Sequence, residues 1–301
     1  MENQMARLSF HEEIAKNKRS SYFLITIVFL VLLALVYTIG FALGGDYFWF
    51  IIIFGTIFSI IYVAGSFYKS AEIAIASVGA KLANQPEHRE FHNLVEGLCL
   101  ASGLPKPKLY VMKNEQINAF ASGRDPEHAV ICVTTGTLEK LSKHELEGVL
   151  AHELSHIANY DIRFMTLTAV LVGMIAIISQ IFLRSLFWSS MSGSRNSNGN
   201  DKSKLILMVI GIALAIIAPI IVAIVQLAIS RKREYAADSS AVKFIRSPTG
   251  LISALKKIKD NKPMKVSGAV APLFLAKPTK SKEWFQTHPP LSKRIAKLER
   301  M

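Results

Sequence analysis

Long apolar runs divide the chain into two kinds of segment. The first run, residues 21–43, has no charged side chain, and a second run at 47–67 follows after a Gly-Gly-Asp break. A helix needs about 20 apolar residues to cross the hydrocarbon core of a bilayer, and both runs reach that length. The pattern therefore predicts two antiparallel membrane-spanning helices joined by a very short turn.

The part of the chain between 69 and 160 has a different pattern. Residues 70–83 are mostly small and predict a helix, and residues 87–104 predict an amphipathic helix that ends at Gly103. Short β-branched and aromatic runs, separated by turn residues, then predict strands. These strands are expected at 108–112, 117–123 and 129–136, and we expect them to form a small antiparallel sheet.

Two more apolar runs, at 164–183 and 205–230, flank a loop at 184–204 that is rich in Ser, Gly and Asn. Both runs are long enough to span a bilayer. The loop is basic, however, and basic loops tend to stay in the cytosol, so a re-entrant hairpin is the alternative for this pair. The basic sequence that follows predicts helices at 234–245, 249–260 and 290–299.

The composition favours a membrane over nucleic acid as the neighbour of this chain. It is 51% hydrophobic with a mean hydropathy of +0.33, and its 35 Lys and Arg against 22 Asp and Glu give a net charge of +13. Basic residues are not interleaved with aromatic ones as in proteins that bind single strands. Basic clusters before the first run and after the fourth predict that both chain ends are cytosolic. The two cysteines, Cys99 and Cys132, fit a reducing compartment.

The candidate chemistry lies on a predicted helix that begins at Ser142, where Glu145 completes a capping box. On this helix His152, Glu153 and His156 form an H-E-x-x-H motif. Histidines four residues apart point to the same side of a helix, which suits two ligands of one tetrahedral zinc ion per chain. Glu153 can reach a water in the open coordination position and take its proton as general base.

A catalytic zinc needs a third protein ligand, and no third histidine follows closely. The best candidate is Glu234, in the sequence REYAAD after the fourth apolar run. Asp238 lies four residues further on and is the candidate to hold an imidazole from behind. A hairpin of the third and fourth runs would bring these carboxylates to the histidines at one membrane surface.

Two further motifs have candidate roles. Residues 117–123 offer an edge strand near the histidine helix, to which an extended substrate could add through main-chain hydrogen bonds. Asn118 is the candidate to hold the scissile region. His288 and Arg294, in THPPLSKRI, are candidates to stabilise an oxyanion. The ordinary alternatives are a plain sheet strand and a capping or packing role. The expected substrate strand comprises Asn118, Ala119, Phe120 and Ala121.

The stretches NAFASG, HELSHIANYD, REYAAD and THPPLSKRI together resemble the HtpX-type membrane zinc metalloproteases, which are relatives of the CAAX prenyl endopeptidases. The resemblance covers nearly the whole chain. It implies a bacterial or archaeal cell-membrane endopeptidase that acts in quality control of membrane proteins under stress. It also implies that His152, His156 and Glu234 bind zinc and that Glu153 is the catalytic acid and base.

We therefore expect a mainly α membrane protein with four transmembrane helices and a cytosolic α+β catalytic domain, zincin-like (gluzincin), that contains the small sheet. A cytosolic segment should precede the first pair of spans, and each pair of spans should be followed by one part of the catalytic domain. In order, the expected divisions are 1–20, 21–67, 68–160, 161–230 and 231–301.

The expected activity is cleavage of unfolded or damaged membrane proteins at the cytosolic face of a prokaryotic inner membrane. The expected partners are these substrates, the lipid bilayer and other membrane quality-control proteases, and no nucleic acid. One alternative is a dedicated processing protease of the CAAX type, whose members have more spans. Another is a non-enzymatic membrane scaffold with a structural zinc, although such sites are usually closed by four protein ligands.

Overall fold

A computed structural model describes residues 10–43, 47–168, 211, 231–261, 273–275 and 289–301. The apolar runs at 164–183 and 205–230 lie almost wholly outside the described residues, as do the loop at 184–204 and His288. The number of spans beyond two therefore stays a prediction, and so does the re-entrant alternative.

The first two apolar runs form a pair of helices, α1 (Phe10–Leu43) and α2 (Tyr47–Tyr68). They run in opposite directions, since Val36 of α1 lies against Gly55 of α2, and Gly40, further along α1, lies near Ile52, earlier in α2. Among the described residues, these are the two helices that are long and apolar enough to cross a membrane. α1 begins well before the apolar run, so residues 10–20 of the expected N-terminal segment belong to the same helix.

The outer surface of this pair is apolar. Trp49, Phe58 and Ile61 are between 64 and 69% exposed. Exposed aromatic and aliphatic side chains in such numbers need an apolar neighbour, since soluble proteins rarely leave large apolar patches in water. A bilayer is the neighbour that the length of the helices suits.

The sheet has four strands in the order β1-β2-β4-β3. The expectation of an antiparallel sheet is wrong in one place, because β2 and β4 are parallel. β4 inserts between β2 and β3 instead of lying outside β3, and β3 runs opposite to it. β3 is consequently an edge strand. The strands are β1 (Lys81–Leu82), β2 (Lys108–Met112), β3 (Ala119–Gly123) and β4 (Ala129–Thr134).

Strand β1 falls within the helix predicted at 70–83. The helix α3 (Ser70–Ser77) stops early, and Gly79 just beyond it has a φ of 63°. This left-handed conformation is easily adopted only by glycine and turns the chain out of the helix. The following residues extend and pair antiparallel with β2.

The other described helices pack around α6, which contacts α4, α7, α8 and β3. Their bounds are α4 (Arg89–Ser102), α5 (Thr135–Lys140), α6 (Lys143–Ala158), α7 (Arg231–Ile245), α8 (Thr249–Asp260) and α9 (Leu291–Leu298), with a 3-10 turn at Pro126–His128. Residues 161–168 are also helical. The predicted helix positions after residue 231 agree with α7, α8 and α9 to within a few residues.

Helix α6 is the centre of the catalytic-domain fold. Its predicted capping box is present: the Ser142 hydroxyl accepts from the Glu145 N–H, and the Glu145 carboxylate accepts from the Ser142 N–H at 2.7 Å. From Gly148 to Ala158 every residue is buried. The polar side chains of a helix that is buried on all sides need partners from the surrounding protein, because an unpaired polar group in the interior costs several kcal/mol.

Candidate metal centre

Three polar side chains lie in the buried part of α6. His152, Glu153 and His156 are 0, 2 and 5% exposed. The regular helix places the two histidines one turn apart on the same side, as their spacing predicts. Their ring centroids are 4.7 Å apart, and their Nε2 atoms are 3.2 Å apart.

Glu234, in the first turn of α7, completes the cluster. Its carboxylate oxygens lie 3.7 Å from His152 Nε2 and 3.6 Å from His156 Nε2. Donor atoms that bind zinc at about 2.0–2.2 Å in a tetrahedron are separated by roughly 3.3–3.6 Å. The separation between the two histidine nitrogens and the distance from each of them to a Glu234 oxygen, 3.2 to 3.7 Å, are close to the spacing that a single tetrahedral ion requires. The predicted set of two histidines and a distant carboxylate does come together.

Two further carboxylates lie behind the imidazole rings. Asp238 Oδ1 is 3.0 Å from His152 Nδ1, and Asp161 Oδ2 is 3.1 Å from His156 Nδ1. A carboxylate accepts a hydrogen bond, so each ring carries a proton on Nδ1 and turns its Nε2 lone pair toward the cluster. Two lone pairs and a carboxylate that converge in a buried space repel one another unless a cation lies between them. This donor set fits a divalent metal.

The charges of the neighbouring side chains lead to the same conclusion. Burial and the Arg294 guanidinium lower the pKa of His152 to about 4, against the opposing effect of Asp238. Burial also acts to lower the pKa of His156, but Asp161 and Glu234 outweigh it and raise the pKa to about 9. The surrounding side chains thus favour one positive charge on the histidine pair, carried by a proton on His156. A bound metal ion would replace this proton.

Arg294, on α9, is fully buried behind the cluster. It donates to both oxygens of Asp238, at 2.9 and 2.6 Å, and lies 3.1 Å from Glu234. Its Nη2 is 3.3 Å from each ring nitrogen of His152, so it does not lie along the lone pair of Nε2. The contacts are those of a group that holds two carboxylates in place. These contacts do not test the oxyanion role predicted for Arg294. His288 lies outside the described residues, so its predicted role is not tested either.

Glu153 lies beside the cluster and contacts the sheet. Burial and the charge of Glu234 raise its pKa to about 7, while His156 and a hydrogen bond with the Ala121 main chain act against this rise. A carboxylate with a pKa near neutrality can both take and return a proton at physiological pH. The Ala121 contact fixes the carboxylate relative to β3.

The edge strand β3 is less open than predicted. Its outward main-chain groups already have partners: the Ala119 carbonyl accepts from the Leu275 N–H at 3.0 Å, and the Gly123 N–H donates to Thr166 at 3.3 Å. The Phe120 ring packs on Phe274, with centroids 4.9 Å apart. A strand that adds here would have to replace Leu275 at Ala119.

Asn118 stands at the start of this strand and is 2% exposed. Its main chain is held by the hydroxyl groups of Thr134 and Thr137, and its side chain accepts from the Ala119 N–H at 3.1 Å. These contacts fix the entry to β3. The role predicted for Asn118 on the scissile region stays a prediction.

Asp161 is the site residue that the sequence analysis missed. It follows α6 after Tyr160, which takes a φ of 58° and turns the chain back toward His156. The available signal was an acidic residue five positions after the second histidine of the motif. Tyrosine rarely adopts a left-handed conformation, so nothing in the local sequence predicts this turn.

Comparison with known proteins agrees with this chemistry. The model of a family described as Peptidase family M48 matches residues 85–301. The chain belongs to peptidase family M48. Members of this family are zinc metalloproteases, and the present M48 peptidase is accordingly a metalloprotease.

Full-length relatives refine the assignment to the HtpX type, which confirms the resemblance. A "Protease HtpX homolog" from Thermoanaerobacter pseudethanolicus is 43% identical over 304 residues, which cover 98% of this chain and 99% of that protein. One from Listeria monocytogenes serotype 4a is 39% identical, over 96% of this chain and 99% of that protein. Together with the apolar helices α1 and α2, these matches identify a membrane protease.

A solved structure, "Crystal Structure of S. mikatae Ste24p", is similar to this M48 peptidase with a TM-score of 0.48 and 21% identity. The similarity covers 95% of this chain and 66% of that one.

Proposed function

We propose that this M48 peptidase is a zinc-dependent endopeptidase of the prokaryotic inner membrane that degrades misfolded or damaged membrane proteins at the cytosolic face. The observation that carries the proposal is the convergence of His152 Nε2, His156 Nε2 and the Glu234 carboxylate in one buried cluster, with Glu153 beside it. Three protein ligands leave a coordination position open, as a catalytic zinc requires.

The metal would be held by His152, His156 and Glu234, one ion per chain. Two imidazoles and a carboxylate suit zinc better than magnesium or calcium, which prefer oxygen ligands. When bound, zinc supplies Lewis acidity, which lowers the pKa of a coordinated water and polarises the scissile carbonyl. Asp238 and Asp161 keep the two imidazoles turned toward the ion.

Glu153 is the proposed acid and base of peptide-bond cleavage. Its carboxylate takes a proton from the attacking water and delivers it to the nitrogen of the leaving amine, so that the side chain returns to its starting state. Burial raises the pKa of this carboxyl, whereas the charge of a bound zinc would lower it and so favour the ionised form that accepts the first proton. The contact with Ala121 would orient Glu153 toward a substrate that lies along β3.

The substrate would pair with β3 in an extended conformation through the Ala119 carbonyl, beside the Ala121 N–H that the Glu153 carboxylate already occupies. Main-chain pairing is blind to side-chain identity and therefore accepts many sequences, as degradation of damaged proteins requires. An incoming N–H would replace that of Leu275 at the Ala119 carbonyl. Phe120 faces the core and Asn118 fixes the start of the strand. Both would therefore support the conformation of β3 and would not contact the substrate with their side chains.

The orientation in the membrane rests on charge. Lys16, Lys18 and Arg19 precede the apolar part of α1, and Arg231 and Lys232 follow the fourth apolar run. Basic residues collect on the cytosolic side of a membrane, so the cluster at the start of α7 is assigned to that side. The proposed partners are damaged membrane-protein substrates, the bilayer and other membrane quality-control proteases.

The test compares Glu153→Gln with wild type, using the full-length protein in detergent micelles. We expect about one zinc per chain in both proteins by metal analysis. Casein cleavage should fall by about 10²- to 10⁴-fold in the variant, since the proton-transfer group is lost. Glu147→Gln, at a half-exposed position of the same helix, is the matched control and should cleave normally. Cleavage by Glu153→Gln at the wild-type rate would show that Glu153 is not the base.

A second assay separates degradation from dedicated processing. In proteoliposomes, a destabilised membrane protein and a farnesylated C-terminal peptide are offered to wild type with and without a chelator. Degradation predicts metal-dependent cleavage of the unfolded substrate at many positions. Cleavage of the farnesylated peptide alone would favour the CAAX-type alternative, and the absence of any chelator-sensitive cleavage would favour the scaffold.

A further inference from the structure

A buried asparagine on the amino-terminal helix α1 contacts a carboxylate that lies behind the metal centre. Asn17, on α1, is 6% exposed, and its amide donates to Asp161 Oδ1 at 2.8 Å and to the Asn159 carbonyl at 2.9 Å. Both protons of the amide are therefore used, and both acceptors lie at the turn that follows α6.

The Asp161 carboxylate connects this amide to a metal ligand. It is 1% exposed, and its two oxygens have separate tasks. Oδ2 accepts from His156 Nδ1 at 3.1 Å, while Oδ1 receives Asn17 and lies 3.5 Å from Arg233 Nε. Because Asn17 and Arg233 fix Oδ1, the carboxylate cannot rotate away from the imidazole. The turn itself is held in place by Lys18, whose ammonium group lies 4.1 Å from the ring centre of Tyr160.

The two imidazoles are thus held by different parts of the molecule. Asp238, behind His152, is fixed by Arg294 from α9, within the catalytic domain. Asp161, behind His156, is fixed by Arg233 of α7 and also by Asn17 from α1, a helix without charged side chains from residue 21 onward. Groups behind a metal ligand commonly change metal affinity by about 10- to 100-fold when removed.

We propose that Asn17 is a positioning residue of the metal centre, which acts through Asp161 to hold His156 with Nε2 toward the metal. The proposal rests on the proposed zinc site. It assigns to α1 a part in setting zinc affinity, in addition to its part in anchoring the chain. Of the two acceptors of the Asn17 amide, Asp161 is the one that contacts a metal ligand.

The test measures zinc affinity by competition with a chelator. Full-length protein in detergent micelles carries Glu153→Gln throughout, which prevents self-cleavage. We expect Asn17→Ala to weaken zinc binding by about three- to tenfold, less than the roughly 10- to 100-fold loss expected for Asp161→Asn. Visible absorption of the Co²⁺-loaded protein should shift in both variants, because the orientation of one imidazole changes.

Ser21→Ala is the matched control. Ser21 is one turn further along α1, is fully buried, and donates to the Asn17 carbonyl at 2.9 Å, so its removal disturbs the same helix without touching Asp161. Its zinc affinity and Co²⁺ spectrum should equal those of the parent. Asn17→Leu, which keeps the branching and the number of side-chain heavy atoms but removes the donor, is the second variant and should behave like Asn17→Ala.

The double variant Asn17→Ala with Asp161→Asn identifies the route. If Asn17 acts through Asp161, the double variant should lose little more affinity than Asp161→Asn alone. The proposal would be overturned if both Asn17→Ala and Asn17→Leu bind zinc as tightly as the parent protein. It would also be overturned if the loss of affinity in the double variant equals the product of the losses in the two single variants. Failure of both Asn17 variants to fold would assign Asn17 to folding alone and would also overturn it.

The zinc site itself is checked separately with His156→Ala. Loss of zinc binding in His156→Ala, together with normal binding in the Asn17 variants, would remove this proposal and leave the proposed function intact. Normal zinc binding in His156→Ala would remove the metal site on which both depend.

Discussion

Asp238 Oδ1 lies 3.0 Å from Nδ1 of His152, on the side of the ring that faces away from His156 and Glu234. The same carboxylate receives two hydrogen bonds from Arg294. The charge of Arg294 lowers the pKa of Asp238 even though burial acts to raise it. His152 is therefore held by an ionised group that is itself immobilised.

The first prediction follows from this pair. Asp238→Ala should weaken zinc binding by about 10- to 100-fold, because His152 loses the acceptor that fixes its tautomer. Asp238→Asn keeps an oxygen acceptor and should lose less. Chelator competition on the full-length protein measures both. Equal affinity in Asp238→Ala and wild type would mean that Asp238 has no part in orienting His152.

The second prediction concerns pH. A proton that is held between the rings with a pKa of about 9 must leave when the metal binds. Below that pH, zinc has to displace the proton, so the apparent affinity should rise about tenfold per unit between pH 7 and 9 and level off above. The measurement is competition with a chelator whose own protonation is corrected for.

Asp161→Asn supplies the control for this pH dependence. The hydrogen bond that His156 Nδ1 donates to Asp161 is a main cause of the raised pKa of His156, so its weakening should move the plateau to lower pH. An affinity that does not vary between pH 7 and 9 in wild type would contradict the assignment of the proton to this position.

The third prediction concerns the contact between α6 and α8. A Cβ on Gly148 would lie 2.4 Å from the main-chain nitrogen of Leu251, so the two helices touch through their backbones. Gly148→Ala should lower the free energy of unfolding by about 1–3 kcal/mol, as overpacking does. Gly97→Ala, at an exposed and open position of α4, should instead raise it by about 0.5–1 kcal/mol. Thermal unfolding of both variants in micelles should show changes of opposite sign in the free energy of unfolding relative to wild type.

The fourth prediction concerns Leu275. If the substrate must replace its N–H at the Ala119 carbonyl, Leu275→Pro removes the competing donor and should lower KM by about two- to tenfold, the equivalent of one hydrogen bond. The value of kcat should not change. Leu275→Ala keeps the donor and controls for the loss of the side chain. An unchanged KM in Leu275→Pro would show that this donor does not compete with substrate.

The sequence predicted those parts of the site that depend on local rules. Ser142 and Glu145 define the start of α6, and the spacing of His152 and His156 fixes their common side. Glu234 was predictable because the chemistry demands a third ligand. The mixed sheet was not, since nothing in the strand sequences specifies that β4 lies between β2 and β3.

The supporting residues behind the metal ligands were predictable only in part. Asp238 shares a helix with Glu234, so its position follows from the helical repeat. Asn17 and Asp161 are 144 positions apart in the sequence, and their contact depends on how α1 packs against the turn at Tyr160. A hydrogen bond across that distance leaves no periodic signal along the chain.

Helix α1 has 34 residues and is therefore about 51 Å long, whereas the hydrocarbon interior of a bilayer is about 30 Å thick. If α1 spans the bilayer, roughly 20 Å of the helix extends beyond the lipid, and Asn17 lies in that part. A change in the tilt of α1 would therefore move Asn17 relative to Asp161 and alter the hydrogen bond between them. One uninterrupted stretch of backbone would thus connect the thickness of the surrounding bilayer with the orientation of His156, a ligand of the proposed zinc site.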